Sequence, residues 1–295
     1  IVELDETLKS KEIEIVGIYD PSENSVTIDM WRNSDGRKIL DLFNKVQTIE
    51  LSKDSKEILN ILLLTNSYFP SKNISNEQFL KIKHEWLLKS SDLDLIEEYL
   101  IKNKEIKNSD ILIEYLVDEY LSKSELEKAC SIFSNINYPS ENNYLSKFHI
   151  YCLINDNKRE EAQLQFDLKT ELGFKDEFFE KKFNYLMEYI STIDETTSEK
   201  SILNFHLSHR TNPNFAFEPD ASTSKKIWRY LSTSNLLTNI ESIDLEDIQK
   251  ILSIEKATHE GNYTEEELFD LYKRFQFNIN QLLNIKQSYK LLKGV

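Results

Sequence analysis

From Ser34 onward apolar residues recur at three- and four-residue steps, the spacing that lines one face of a helix. This pattern predicts helices over 35–46, 53–67, 76–89, 92–103, 109–122, 125–135, 142–155, 158–171, 176–191, 198–209, 223–237, 245–258, 265–276 and 278–292. Capping boxes at Ser75/Gln78, Ser124/Glu127 and Thr264/Glu267 mark three starts, because a hydroxyl and a following amide or carboxylate satisfy the free N–H groups of a first turn. Gly173 and Gly261 are placed to end helices in the left-handed conformation. The first thirty residues differ. Segments 12–19 and 26–31 partly alternate around Asp20-Pro21-Ser22-Glu23-Asn24, which predicts a short β-hairpin leaning on the first helices or on strands further upstream. Between 191 and 225 the helical pattern gives way to Thr, Ser, Asn, Pro213 and Pro219. A connection that long, carrying several phenylalanines, is expected to be an ordered loop packed on the helices, with Phe215 and Phe217 reaching one apolar surface.

A longer period overlies the helical one. The stretch Ser124-Glu125-Leu126-Glu127 aligns 33 residues back with Ser91-Asp92-Leu93-Asp94, and Ala129 and Phe133 align 33 residues forward with Ala162 and Phe166. A period of this size implies stacked helical hairpins, each covering the apolar face of its neighbour. Only five alanines occur in 295 residues, so a retained alanine marks a place where two helix backbones approach too closely for a larger side chain. Five Gly and five Pro are too few for the turns of a many-stranded protein. The expected fold is therefore mainly α, an α-solenoid of helical hairpins with a short N-terminal β-hairpin. Its organisation reads as 1–33, the hairpin or the remnant of an upstream domain; 34–190, the repeat solenoid; 191–222, the ordered connecting loop; and 223–295, a C-terminal helical lobe.

A net charge of −15 argues against a nucleic-acid partner, since affinity for a polyanion comes from clustered Lys and Arg. Apolar runs such as 61–64 are far short of the roughly 18 residues of a membrane span. Cys130 and Cys152 have no metal spacing. They could form one bridge, but an isolated pair is not a disulfide framework, and two free buried thiols are expected. A chain opening on Ile1 is expected to be processed or cut from a longer product.

His206 and His209, with Arg210 and Asn212 beside them, form the one close histidine pair. Two imidazoles on one helix face could hold a metal or an anion, and this segment is the candidate site of an alternative, enzymatic or metal-dependent reading. Zinc needs a further ligand, and no His-Glu-x-x-His or cysteine pair supplies it. Acidic pairs such as Glu97/Glu98 and Glu160/Glu161 read as helix surface, and no Gly-rich phosphate loop or nucleophile elbow occurs. No catalytic residue, cofactor or metal is called for.

Counted from Asp110, residues Ile113, Leu116, Tyr120, Leu126, Ala129 and Phe133 occupy the signature positions of the tetratricopeptide repeat, and Leu153, Ala162 and Phe166 do so in the unit opening at Asn143. The chain resembles that family over roughly 77 to 172. It is also similar to the long helical-repeat proteins of marine alphaproteobacteria, a likeness that carries no function. The tetratricopeptide resemblance implies a right-handed solenoid whose first helices line a concave groove for an extended peptide or a partner helix. Carried over, that groove presents Gln78, Lys81, Glu85, Leu88, Ile111, Glu114, Asp118, Leu121, Tyr144, Lys147, Tyr151 and Ile154. The expected function is thus a non-enzymatic scaffold binding another protein, with a purely structural spacer as a further alternative.

Overall fold

The computed structural model describes residues 15–104, 106, 108–136, 141–220 and 222–275, together with 283, 284, 286 and 290. Among these the chain is mainly helical, with thirteen α-helices and one two-stranded antiparallel sheet. It divides into two compact units, Ile1–Val117 with Cys130–His149, and Asp118–Ala129 with Ile150–Val295. The first unit opens with β1 (Ile15–Val16), α1 (Gly36–Gln47), α2 (Lys53–Leu64), β2 (Ser67–Tyr68), α3 (Asn76–Ser90) and α4 (Leu93–Lys102). Helices α5 (Asp110–Ser122), α6 (Leu126–Asn135) and α7 (Asn143–Asn155) give residues to both units. The second unit continues with α8 (Arg159–Glu171), α9 (Glu177–Leu186), α10 (Ile202–Arg210), α11 (Lys225–Thr233), a 3₁₀ turn (Ile240–Ser242), α12 (Ile248–His259) and α13 (Glu265–Lys273). The helix expected at 278–292 falls almost wholly outside the described residues. No helix among those described is long and apolar enough to cross a membrane.

Local chemistry sets the helix limits. Ser75 and Thr264 form complete capping boxes with Gln78 and Glu267. Ser124 does not: it lies one residue before the cap position of α6, and its hydroxyl meets those of Thr233 and Ser234 at 2.9 and 2.7 Å. Its backbone, at φ 59°, instead ends α5 in the left-handed region. The same ending recurs at Asn157 (φ 60°), Glu188 (φ 63°) and Asn235 (φ 55°), and with glycine at Gly173 and Gly261. In each case the next N–H reaches back across the last turn, as from Glu125 to the Tyr120 carbonyl and from Lys158 to that of Leu153, closing a Schellman motif.

The expected N-terminal hairpin is not the pairing found. Residues 26–31 form turns, and β1 pairs instead with β2, Ile15 opposite Tyr68 and Val16 opposite Ser67. Residues 12–14 of the expected hairpin lie outside the described residues. Close packing just after β1 accounts for this choice. A Cβ on Gly17 would stand 2.5–2.6 Å from the backbone of Leu64, Thr65 and Asn66, so only glycine admits so close an approach. Asn103 then brackets Gly17, donating to its carbonyl at 2.9 Å and accepting from its N–H at 3.3 Å.

The first unit's core gathers Phe79, Ile82, Trp86, Leu87, Ile96, Tyr99 and Leu112, with Trp31 and Phe69 edge-on to Phe79. Lys83 lies wholly inside it, 0 % exposed, its ammonium donating to the Val16 carbonyl at 2.6 Å and standing 5.4 Å from the Phe79 ring centre. In the second unit Ala162 is fully buried, Phe166 stacks on Phe183 at 4.2 Å, and a separate cluster joins Trp228, Ile240, Ile243, Ile251, Ile254, Ala257, Tyr263 and Leu271. Arg274 closes that cluster by donating to the carbonyls of Ile240 and Ile243. Residues 191–199 have no regular structure, and buried Lys182 anchors them through the Asp194 carbonyl at 2.5 Å. Phe215 and Phe217 both abut Phe205, at 5.5 and 4.9 Å between ring centres, so they do share one apolar surface. One correction concerns the thiols: neither Cys130 nor Cys152 is free, both being disulfide-bonded, so an isolated cysteine pair need not stay reduced for want of a wider framework.

Two outcomes are expected from these features. Asn157→Val should cost about 1–2 kcal/mol, because a β-branched residue resists the left-handed region, while Asn157→Gly should cost nothing or stabilise; equal urea midpoints for the two variants would refute the assignment. Burial holds the Lys83 pKa down to about 7, whereas the same lysine in an unfolded chain titrates near ~10.4. Above pH 7 the folded chain sheds this proton and the unfolded chain keeps it, so this group makes stability rise with pH by about 1.4 kcal/mol per unit in that window. Lys83→Met should be the more stable protein near neutrality and should lack this part of the slope, and parallel pH profiles for the two proteins would count against a buried amine.

Candidate functional site

The residues expected along an open groove divide between the units. In the first, Lys81 on α3 is exposed and pairs with the half-buried Glu85 at 3.8 Å. Glu114 on α5 accepts from the Asn142 amide at 2.5 Å, which also reaches Asp110 at 3.4 Å. Tyr144 and Lys147 on α7 are half-buried, Gln78 is exposed and Ile111 is 52 % exposed. In the second unit the expectation of an open face fails. Leu121, Tyr151 and Ile154 are buried, at 0 %, 4 % and 8 % exposure. The cause is α10 and α11. Lys226 of α11 pairs with Asp118 at 2.7 Å, and Arg229, one helical turn on, pairs with Glu119 at 2.6 Å and reaches the Ser122 hydroxyl. A helix of the chain itself therefore lies along the C-terminal half of α5.

The structure brings Tyr151 together with the histidine segment that seemed separate in sequence. Residues 202–208 of α10 are all buried, so His206 points into the unit whichever way the helix faces. His206 Nε2 lies 2.9 Å from the Tyr151 hydroxyl, its Nδ1 3.0 Å from the Tyr230 hydroxyl, and Tyr230 also meets His209 Nδ1 at 2.7 Å. The positive Arg210 side chain near Tyr151 works against burial, lowering a phenol pKa that burial raises. Neutral His206 carries one ring proton, so it donates to one of the two tyrosine hydroxyls and accepts from the other. Asn212 takes no part; its side-chain oxygen accepts from the Asn214 N–H at 3.0 Å and shapes the turn after α10.

Burial dominates the electrostatics here. It drives the His206 pKa down to about 3, with the positive charges of Arg210 and His209 adding to the effect. It also lowers that of half-buried His209 and raises those of Tyr151 and Tyr230. All four groups are thus neutral near pH 7, and both nitrogens of His206 are spoken for. A metal ion could take His206 only by displacing a tyrosine, and no group of three or more His, Cys, Asp or Glu side chains placed to hold a metal occurs among the described residues. What this arrangement does chemically is join α7, α10 and α11 through a run of neutral hydrogen bonds. Nothing in the sequence flagged Tyr230, which sits in a short amphipathic helix like any other core aromatic.

Comparison of the chain with family models, with curated proteins and with solved structures gives no match.

Removing the Tyr151 hydroxyl strands a buried ring nitrogen of His206, so Tyr151→Phe should cost about 1–3 kcal/mol. Below the unfolded histidine pKa of about 6.5 the unfolded chain takes up a proton that folded His206 refuses, and this group's contribution falls as pH drops toward 3. Urea unfolding of His206→Gln should therefore show a shallower acid loss than the parent chain between about pH 6.5 and pH 4. An unchanged slope would mean that His206 is accessible or charged in the folded state.

Proposed function

We propose that this chain is a non-enzymatic interaction protein, a right-handed solenoid of tetratricopeptide-like hairpins whose first helices offer a face to an extended peptide or a helix of another protein. One observation carries the reading. Ser91, Ser124 and Asn157 stand 33 residues apart, all are left-handed, and each ends a first helix (α3, α5, α7) two residues before a second helix (α4, α6, α8) begins. This recurrence of one backbone conformation at the 33-residue step supports the repeat reading. Hairpins in such an array leave the first-helix face for recognition, as repeat scaffolds do. On that face Lys81, Glu85, Ile111, Glu114, Tyr144 and Lys147 supply charge of both signs with exposed apolar and aromatic surface. Asp118 and Tyr151 are turned to α10 and α11 and are left out of it.

The test is a peptide-display selection on the chain, followed by affinity measurement on Lys81→Glu/Glu85→Lys with Ile111→Ser. The swap keeps the intrahelical ion pair while inverting its pattern, so the fold should survive. Selected peptides should bind the variant at least about tenfold more weakly. Equal binding by both proteins, or no enrichment at all, would overturn the reading.

A further inference from the structure

Helix α8 presents its apolar residues in two directions. Ala162, 0 % exposed, and Phe166, stacked on Phe183, turn to the core of the second unit. Leu164 and Leu168 lie on the opposite face, and Leu172, the C-cap residue, follows at the same four-residue spacing; they are 58 %, 45 % and 83 % exposed. A turn-by-turn leucine row normally marks the buried stripe of a helix; here that place is already taken. The other exposed residues on the same arc are Glu160, Glu161, Asp167 and Glu171. The first two favour the positive end of the helix dipole, but Glu171 stands in the last turn, where a carboxylate is unfavourable, and Asp167 is a poor helix former in mid-helix. Helix stability therefore explains neither the leucines nor half of the acids. On another flank of α8 the Tyr189 hydroxyl donates to Gln163 at 2.8 Å, and Tyr189 and Ile190 are 58 % and 40 % exposed.

We propose that this face of α8 is a docking surface for a basic amphipathic helix of another protein. The straight row of three leucines spans about 12 Å, the footprint of a helix lying alongside at ordinary helix–helix spacing. The acidic rim selects Lys- and Arg-bearing flanks and repels both an anionic bilayer and a second copy of the same face. An exposed apolar patch rimmed by charge is the usual mark of such an interface. It lies on a second helix and shares no residue with the α3, α5 and α7 face, so it stands apart from the function proposed above.

The probe is a synthetic amphipathic helical peptide with one leucine face and lysines elsewhere, paired with a control carrying glutamates in place of the lysines. Fluorescence anisotropy should show binding of the basic peptide to the full chain, weakened at least about tenfold by Leu164→Gln/Leu168→Gln/Leu172→Gln and made less salt-sensitive by Glu160→Gln/Glu161→Gln/Glu171→Gln. All these positions are exposed, and circular dichroism would verify the fold of each variant. Lys81→Glu/Glu85→Lys should leave this binding unchanged, so the two surfaces fail or stand separately. Equal affinity of the leucine variant, equal binding of the acidic peptide, or no binding would overturn the proposal. So would sedimentation showing that the parent chain self-associates through the leucines, which would give the face to a second copy.

Discussion

A helix can be reversed within two or three residues only if some residue leaves the right-handed region, and that requirement governs the rest of this chain. Glycine would meet it with least strain. With five glycines in 295 residues, the chain places Ser91, Ser124, Asn157, Glu188 and Asn235 in the left-handed conformation instead. Each accepts local strain at a helix end, and after Ser124, Asn157, Glu188 and Asn235 the following N–H reaches back to a carbonyl of the last turn and holds the reversal in place. Once the turns at Ser91, Ser124 and Asn157 are fixed, the lengths of the helices between them are fixed as well.

Helices were legible because their limits are written in local chemistry. Ser75, Thr264, Gly173 and Gly261 each act within a few residues of where they stand, and the 33-residue step survives in Ala129 and Ala162, both without exposure. What the sequence hid is non-local. Nothing around Ile15 says that its partner is Tyr68, since alternation reveals a strand but not which strand it meets. Tyr151 was visible as a helix-face residue, yet its burial depends on α10 and α11, dozens of residues later. Leu164 and Leu168 are exposed on a helix whose core contacts are made by Ala162 and Phe166, a distinction that spacing alone does not draw.

Charge is used differently in different places. Asp118 and Glu119 are neutralised by Lys226 and Arg229 of α11, so part of the acidic excess holds the second unit together. The Tyr151–His206–Tyr230–His209 run does similar work without any net charge, and salt cannot screen it as it screens ion pairs. The acids of α8 belong to neither arrangement, and Asp167 faces Gln163 rather than a cation.

Lys83 gives the first unit an internal clock for its own opening. At 0 % exposure its amine meets no acylating reagent while the unit is closed, and it reacts as an ordinary lysine only once the unit opens. The rate at which such a reagent marks Lys83, against the lysines at the surface, is a record of how often β1 lifts away from α3.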